Sequence, residues 1–265
     1  MQEITNKVIW ITGASSGIGE ACAYIFASKG YKLILTATRE KRLEKVRQKC
    51  IGLGAECEIL PVDLSQIERL DAITDRAISF FGKIDVMFHN AGISQRGKSV
   101  ETDFAVDKKI MDVNFFAPVK ITKRLLPEMI AGGGGTIAVT TSISGKFGFP
   151  LRSAYASSKF ALYGFFETVQ AEYYAQNIRV VMVCPGRVKT NISYNALEAD
   201  GSKHAQMDTG QNNGIPAEKA ARKIVNAIRK QKPEVLVGGK ELLMVYIKRF
   251  FPGLARKIVR KIKAT

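Results

Sequence analysis

The sequence predicts an α/β fold, one domain built on a doubly wound parallel sheet of about seven strands with helices on both faces. Three observations predict it. Short, continuously apolar runs of strand length recur along the chain. Segments of helical period separate them, and strand and helix alternate throughout, which is the signature of βαβ units with right-handed crossovers. A chain of 265 residues with 46% hydrophobic content buries one large core, and α/β folds of this size are commonly single domains.

The first strand-like run is 7–12 (KVIWIT), and 31–36, 58–62, 84–88, 136–141 and 179–184 repeat its apolar character. Such runs mark strands covered on both faces. Helical periods fill 17–28, 40–53, 66–81, 103–130 and 153–176 between them. The four glycines 132–135 read as a turn into the fifth strand, because a phosphate loop of the Walker type needs a Gly-Lys-Ser/Thr ending that is missing here. Residues 1–190 are read as the core, 191–239 as a lid plus the last strand of the same domain, and 240–265 as a basic amphipathic tail. No long Pro- or Ser-rich linker divides them.

The formal charge of +16 raises nucleic acid, an anionic cofactor and a membrane surface as partners. Much of it is local: from Lys240 onward there are eight Lys or Arg and one acid, Glu241. No nucleic-acid-binding motif accompanies the charge, so no nucleic-acid partner is expected. Cys22, Cys50, Cys57 and Cys184 are scattered without Cys-x-x-Cys spacing and read as reduced, buried thiols. With His89 and His204 the only histidines, no metal site is expected. No run of eighteen apolar residues appears and strand character begins at Lys7, so neither a spanning helix nor a secretory signal is expected, and the localisation expected is cytoplasmic.

In a doubly wound sheet ligands bind outside the carboxyl ends of the strands, near the switch in strand order. Gly13, Ser15, Ser16, Gly17, Ile18 and Gly19 lie at such an end, joining the first strand to the first helix. Glycines let the backbone approach a pyrophosphate, and free N–H groups with the helix dipole favour the anion. The turn therefore reads as a dinucleotide site of Rossmann type. Tyr155 and Lys159 stand four apart on a predicted helix, so phenol and ammonium share a face. The cation is expected to pull the phenol below its usual value near ~10, toward the range of a general acid or base.

Taken in order, the 12–19 turn with Gly-x-x-x-Gly-x-Gly spacing, Asp63, Asn90-Ala91-Gly92, Asn114, Ser142, Tyr155 and Lys159, and Pro185-Gly186 resemble the short-chain dehydrogenases/reductases over roughly the first 190 residues. In the lid, Asn191-Ile192-Ser193, Asp200-Gly201 and Met207-Asp208 are similar to the subgroup of dehydrogenase/reductase member 7B. One departure is His89, where the family usually has asparagine. The resemblance implies an oxidoreductase with Asp63 and Leu64 bordering the adenine, Asn90 the adenosine ribose, Val188 and Thr190 the nicotinamide amide, and Asn114 fixing a water that relays a proton. Ala91, Gly92, Pro185 and Gly186 join the expected cofactor cleft.

At the end of the second strand Thr38 stands where an acid would bind the ribose and repel a 2′-phosphate, and Arg39 follows it. That pair favours NADP over NAD, although Arg39 also suits the solvated start of a helix. Hydride transfer to a carbonyl leaves charge on oxygen, so a site must stabilise the oxyanion and supply a proton. Ser142 is expected to bond that oxygen, Tyr155 to exchange the proton, and Lys159 to tune the phenol and hold the nicotinamide ribose.

Phe147, Phe149, Leu151 and Tyr194 are expected to give the substrate pocket an apolar wall, favouring a small, apolar carbonyl compound or alcohol. In the tail, Ile247, Phe250, Phe251, Leu254, Ile258 and Ile262 fall at three- and four-residue spacing among Arg256, Lys257, Arg260, Lys261 and Lys263, interrupted by Pro252-Gly253. Such a segment over 242–263 suits either an anionic membrane or docking on the body or a second subunit. A homodimer or homotetramer is the expected assembly. Two other readings are a non-catalytic NADP-binding regulator of the same fold, which the intact Ser142, Tyr155, Lys159 and Asn114 argue against, and a nucleotide-sugar epimerase or dehydratase, whose larger C-terminal domain the chain hardly accommodates.

Overall fold

The computed structural model describes residues 6–262; Lys263 of the expected tail lies outside them. The strands β1 (Val8–Thr12), β2 (Lys32–Ala37), β3 (Cys57–Pro61), β4 (Val86–His89), β5 (Gly135–Thr140), β6 (Ile178–Pro185) and β7 (Glu234–Val237) form one 7-stranded sheet. All its pairings are parallel, in the spatial order β3, β2, β1, β4, β5, β6, β7. The order reverses between β1 and β4, which sets a crevice at their carboxyl ends.

Helices α1 (Gly17–Ala27), α2 (Glu40–Gly52), α3 (Leu70–Phe81), α4 (Phe104–Met111), α5 (Ala117–Ala131), α6 (Ser153–Glu172) and α7 (Ala217–Arg229) cover the sheet, and α8 (Leu243–Phe250) and α9 (Pro252–Val259) follow it. Alternation along the strands divides the core in two. On one face Ile9 and Ile11 pack with Phe26 of α1, Leu43 of α2 and Ile224 of α7. On the other, Val8 and Trp10 pack with Leu70 of α3, Ile121 of α5 and Phe166 of α6. Each such side chain contributes about 1.5–3 kcal/mol by leaving water. Trp10 is wholly buried, and its indole N–H is satisfied by Thr36 Oγ1 on the adjacent strand at 2.8 Å.

Two expected elements come out differently. The single helix expected over 103–130 is broken by a wider π-type turn at Asp112–Phe116, and Asn114 sits in that turn. The segment 191–239 holds not only a lid and β7 but also α7, a core helix whose Ala217, Ala220, Ala221, Ile224 and Ile228 are buried. The tail breaks at Pro252 as its sequence suggested, and all four cysteines are buried and free. Among the described residues no helix is long and apolar enough to cross a membrane, and no cluster of His, Cys, Asp or Glu could hold a metal ion.

Candidate active site

The carboxyl ends of β1, β2, β4, β5 and β6 converge on a cavity of about 680 Å³. Its first part is the glycine turn. Gly13 and Gly17 have φ of +67° and +62°, a region that side-chain-bearing residues rarely enter. A Cβ at Gly13 would also lie 2.8 Å from Ala91 Cα, and one at Gly19 would lie 2.4 Å from the Gly13 carbonyl oxygen. Gly13, Ser15, Ser16, Gly17 and Ile18 line the cavity, while Gly19 is buried beneath the turn. Ser16 caps α1 without using its side chain, so the first N–H groups of α1 face the crevice as an anion cradle.

Other expected cofactor residues are placed around this cradle. Thr38, Arg39, Asp63, Leu64, Asn90, Ala91, Gly92, Pro185, Gly186, Val188 and Thr190 all line the cavity. The Arg39 guanidinium reaches Ser16 Oγ at 3.4 Å and Ser15 Oγ at 3.5 Å. Asn90 is committed to structure: its amide N–H groups donate to the carbonyls of Thr12 and Gly13 at 3.2 and 3.3 Å, and its carbonyl accepts from Thr140 Oγ1 at 3.3 Å. Asp63 accepts from the backbone N–H and hydroxyl of Ser65 in a local turn. The backbone and sterics of these positions fit a dinucleotide.

At the other end of the cavity, Ser142 follows β5 by two residues and caps the short turn Ile143–Gly145, its Oγ accepting from Ser144 N at 3.1 Å. That turn lies hard against α6, because a Cβ at Gly145 would be 2.8 Å from the Lys159 carbonyl oxygen. The contact sets the Ser142 hydroxyl beside the Tyr155 phenol, in the first turn of α6. Both side chains line the cavity. Lys159 and Asn114 do not; they are buried behind Gly92, where a Cβ would meet Asn114 Oδ1 at 3.2 Å and Lys159 Nζ at 3.4 Å. Asn114 spends its amide on the backbone of Ile93, accepting from N and donating to O at 2.9 Å each, and on Ser158 Oγ at 3.1 Å.

The electrostatics correct one expectation. The Tyr155 phenol is raised, not lowered: burial pushes it above its ordinary value, and the Ser142 hydroxyl with the charges of Arg152 and Arg96 only partly offsets it. The Lys159 ammonium is 5.8 Å from the ring centre and donates to the Thr140 carbonyl at 2.8 Å. The same burial brings its own pKa down to about 8.

A family model for short chain dehydrogenases matches residues 7–201. The chain belongs to the short-chain dehydrogenase/reductase family. Among relatives of this family member, the "Dehydrogenase/reductase SDR family member 7B" of Mus musculus is 37% identical over 261 residues, covering 97% of this chain and 81% of the relative. The family protein 7-like of Drosophila melanogaster is 34% identical over 264 residues, covering 98% and 81%. A short-chain dehydrogenase/reductase of Burkholderia phymatum solved in complex with NAD superposes with a TM-score of 0.83 at 26% identity, covering 96% of each chain. An alcohol dehydrogenase of Thermococcus sibiricus complexed with 5-hydroxy-NADP gives 0.78 at 26% identity, covering 89% of this chain and 97% of that one.

The substrate end of this short-chain dehydrogenase/reductase differs from the apolar wall expected. Phe147 and Phe149 line the cavity, but Leu151 and Tyr194 do not, and the Tyr194 side chain is exposed. A buried ionic cluster stands among the lining residues instead. Asp208 of the lid accepts from both arms of Arg96, from Arg152 Nη2 at 3.1 Å and from Ser193 Oγ at 3.0 Å, with His204 Nε2 3.3 Å away. Burial disfavours the Asp208 charge, yet the Arg96 hydrogen bond and the charges of Arg96 and Arg152 hold its carboxyl below the usual range. The cluster clips the lid to the loop after β4 and to the start of α6. Sequence reasoning put 93–99, 143–152 and 191–213 at the substrate pocket but singled out neither Arg96 nor Arg152, since a single arginine in a loop carries no periodic signal. The two histidines are packing and lid residues: His89 is buried with Nε2 2.9 Å from Thr122 Oγ1, and His204 Nδ1 lies 2.5 Å from Glu198.

Proposed function

We propose that this family member is an NADP(H)-dependent oxidoreductase interconverting a carbonyl compound and an alcohol on a small substrate with an apolar body. The observation that carries the reading is the meeting of the Ser142 hydroxyl and the Tyr155 phenol on one wall of the cavity whose other end is the glycine turn. A bound nicotinamide supplies or takes back the hydride. Ser142 bonds the substrate oxygen as charge develops on it, and Tyr155 gives the proton in reduction and removes it in oxidation. Lys159 and Asn114 act from behind Gly92. Lys159 places positive charge near the phenol and the nicotinamide ribose. Both N–H groups of the Asn114 amide are engaged, so a proton-relay water there would donate to its carbonyl or to the backbone of its π-type turn.

The adenosine end supports NADP over NAD. Arg39 with Ser15 and Ser16 offers a guanidinium and two hydroxyls to a 2′-phosphate, and Thr38 supplies no carboxylate to repel it. A screen of ketones and secondary alcohols with each of NADPH, NADP, NADH and NAD, following nicotinamide absorbance, tests the reading. Turnover with a lower KM for NADPH than for NADH is expected. Turnover only with the non-phosphorylated pair would overturn the cofactor assignment, and none with any pair would overturn the activity.

A further inference from the structure

The helices after β7 have two faces. Inward, Met244, Val245 and Val259 pack against a small cluster of Ile143, Phe147 and Cys184, and Ala255 is 1% exposed. Outward, Leu243, Tyr246 and Phe250 follow one another at i, i+3 and i+7, the spacing of a single helix face, and are 62%, 53% and 69% exposed. Phe251 and Leu254, at 63% and 51%, continue the stripe across the break into α9. Large apolar side chains in contiguous exposure mark an interaction site.

Charge decides the partner. Arg249, Arg256 and Lys257 are exposed on the same two helices, and Arg260 and Lys261 are exposed in the turn that follows α9. The one acid of the segment, Glu241, is turned to the body, accepting from the backbone N–H of Arg187 at 2.7 Å and of Gly239 at 2.9 Å. A second copy docked by the same face would bring like charges together. An anionic bilayer matches both parts, taking the aromatic and aliphatic stripe into its interfacial zone and the cations at its headgroups. We propose that the outer face of α8 and α9 is a docking surface for an anionic membrane.

The same segment walls the cavity, for Met244 of α8 and Ile262 just after α9 line it together with Phe147 and Phe149. Docking therefore sets the substrate end beside the lipid phase, where an apolar carbonyl compound is concentrated. This second step rests on the oxidoreductase reading; the docking does not.

The experiment is co-sedimentation of the whole chain with phosphatidylcholine vesicles and with vesicles containing phosphatidylserine, at low and high salt. The protein is expected to pellet with the anionic vesicles only and to be released by salt. In Arg256→Glu/Lys257→Glu the affinity is expected to fall at least about twentyfold, at about fivefold per surface cation. Phe250→Ser/Phe251→Ser is expected to weaken binding while leaving the thermal midpoint within a few degrees. Wild-type protein that pellets with neither vesicle, or both variants pelleting like wild type, would overturn the proposal. So would a phenylalanine variant that turns a dimer into a monomer without any vesicle binding, because the stripe would then be a subunit contact. An enzyme active on ketones yet indifferent to vesicles removes the docking alone, whereas a vesicle-bound protein inactive on every ketone removes the activity alone.

Discussion

Tyr155 sits in a site that resists its ionisation. Burial raises the phenol, and what opposes burial is the Ser142 hydroxyl together with two guanidiniums, Arg152 and Arg96. The proton inventory gives the pH dependence its sign. Oxidation needs the phenolate, so its rate should climb with pH through the phenol's raised value; reduction needs the phenol and should fall over the same range. Replacing Arg152 by Gln removes a cation that favours the phenolate, so the rising limb of the oxidation profile is expected to move to higher pH. An unmoved limb would deny Arg152 this part. His89 offers a second test at the same scale. Burial lowers its pKa from 6.5 to about 3, so the unfolded chain takes up a proton that the folded chain refuses between those values. Stability is then lost as pH falls below 6.5, by about 1.4 kcal/mol per unit at most. In His89→Asn, the slope of unfolding free energy against pH in that window should flatten; an unchanged slope would place the acid sensitivity elsewhere.

At the scale of elements, the site is held by contacts that periodicity does not encode. Strands β1 to β6 were legible within a residue or two because each is a continuous apolar run, and the glycine turn was legible because φ values such as +67° at Gly13 demand glycine. The π-type turn was not, since Asp112–Phe116 has an ordinary helical composition; what opens it in the fold is Asn114 bonding Ile93, a contact across 21 residues. Helix α7 was missed although it was legible: Ala217, Ala220, Ala221, Ile224 and Ile228 have helical spacing against a face carrying Glu218, Lys219, Arg222 and Lys223. The lid clip belongs to this scale as well. Asp208→Asn leaves Arg96, 4% exposed, without its counter-charge, and breaking such a buried pair costs about 3–5 kcal/mol. Urea unfolding should show a loss of that order at neutral pH. The loss should shrink in acid, because a carboxyl held below its usual range stabilises above its unfolded pKa and ceases to as pH falls through the folded one. A loss below about 1 kcal/mol would mean that the cluster does not hold the lid.

Across the whole molecule, the strand order brings residues from 13 to 262 around one cavity. The sequence order of the motifs already announced this arrangement, since the glycine turn, Asp63, 90–92, Ser142 and 185–186 fall at the carboxyl ends of strands and those ends gather where β1 and β4 diverge. Substrate preference was less legible, because the cavity's far end is closed by pieces remote in sequence, Phe147, Asp208, Met244 and Ile262 among them, whose meeting no local pattern reveals. The central claim is that Tyr155 moves the proton in a hydride-transfer site. The direct measurement is turnover and NADPH binding in Tyr155→Phe, which keeps the ring and removes the hydroxyl. Turnover is expected to fall by about 10² to 10⁴ with the NADPH dissociation constant nearly unchanged; a variant that retains turnover would contradict the account.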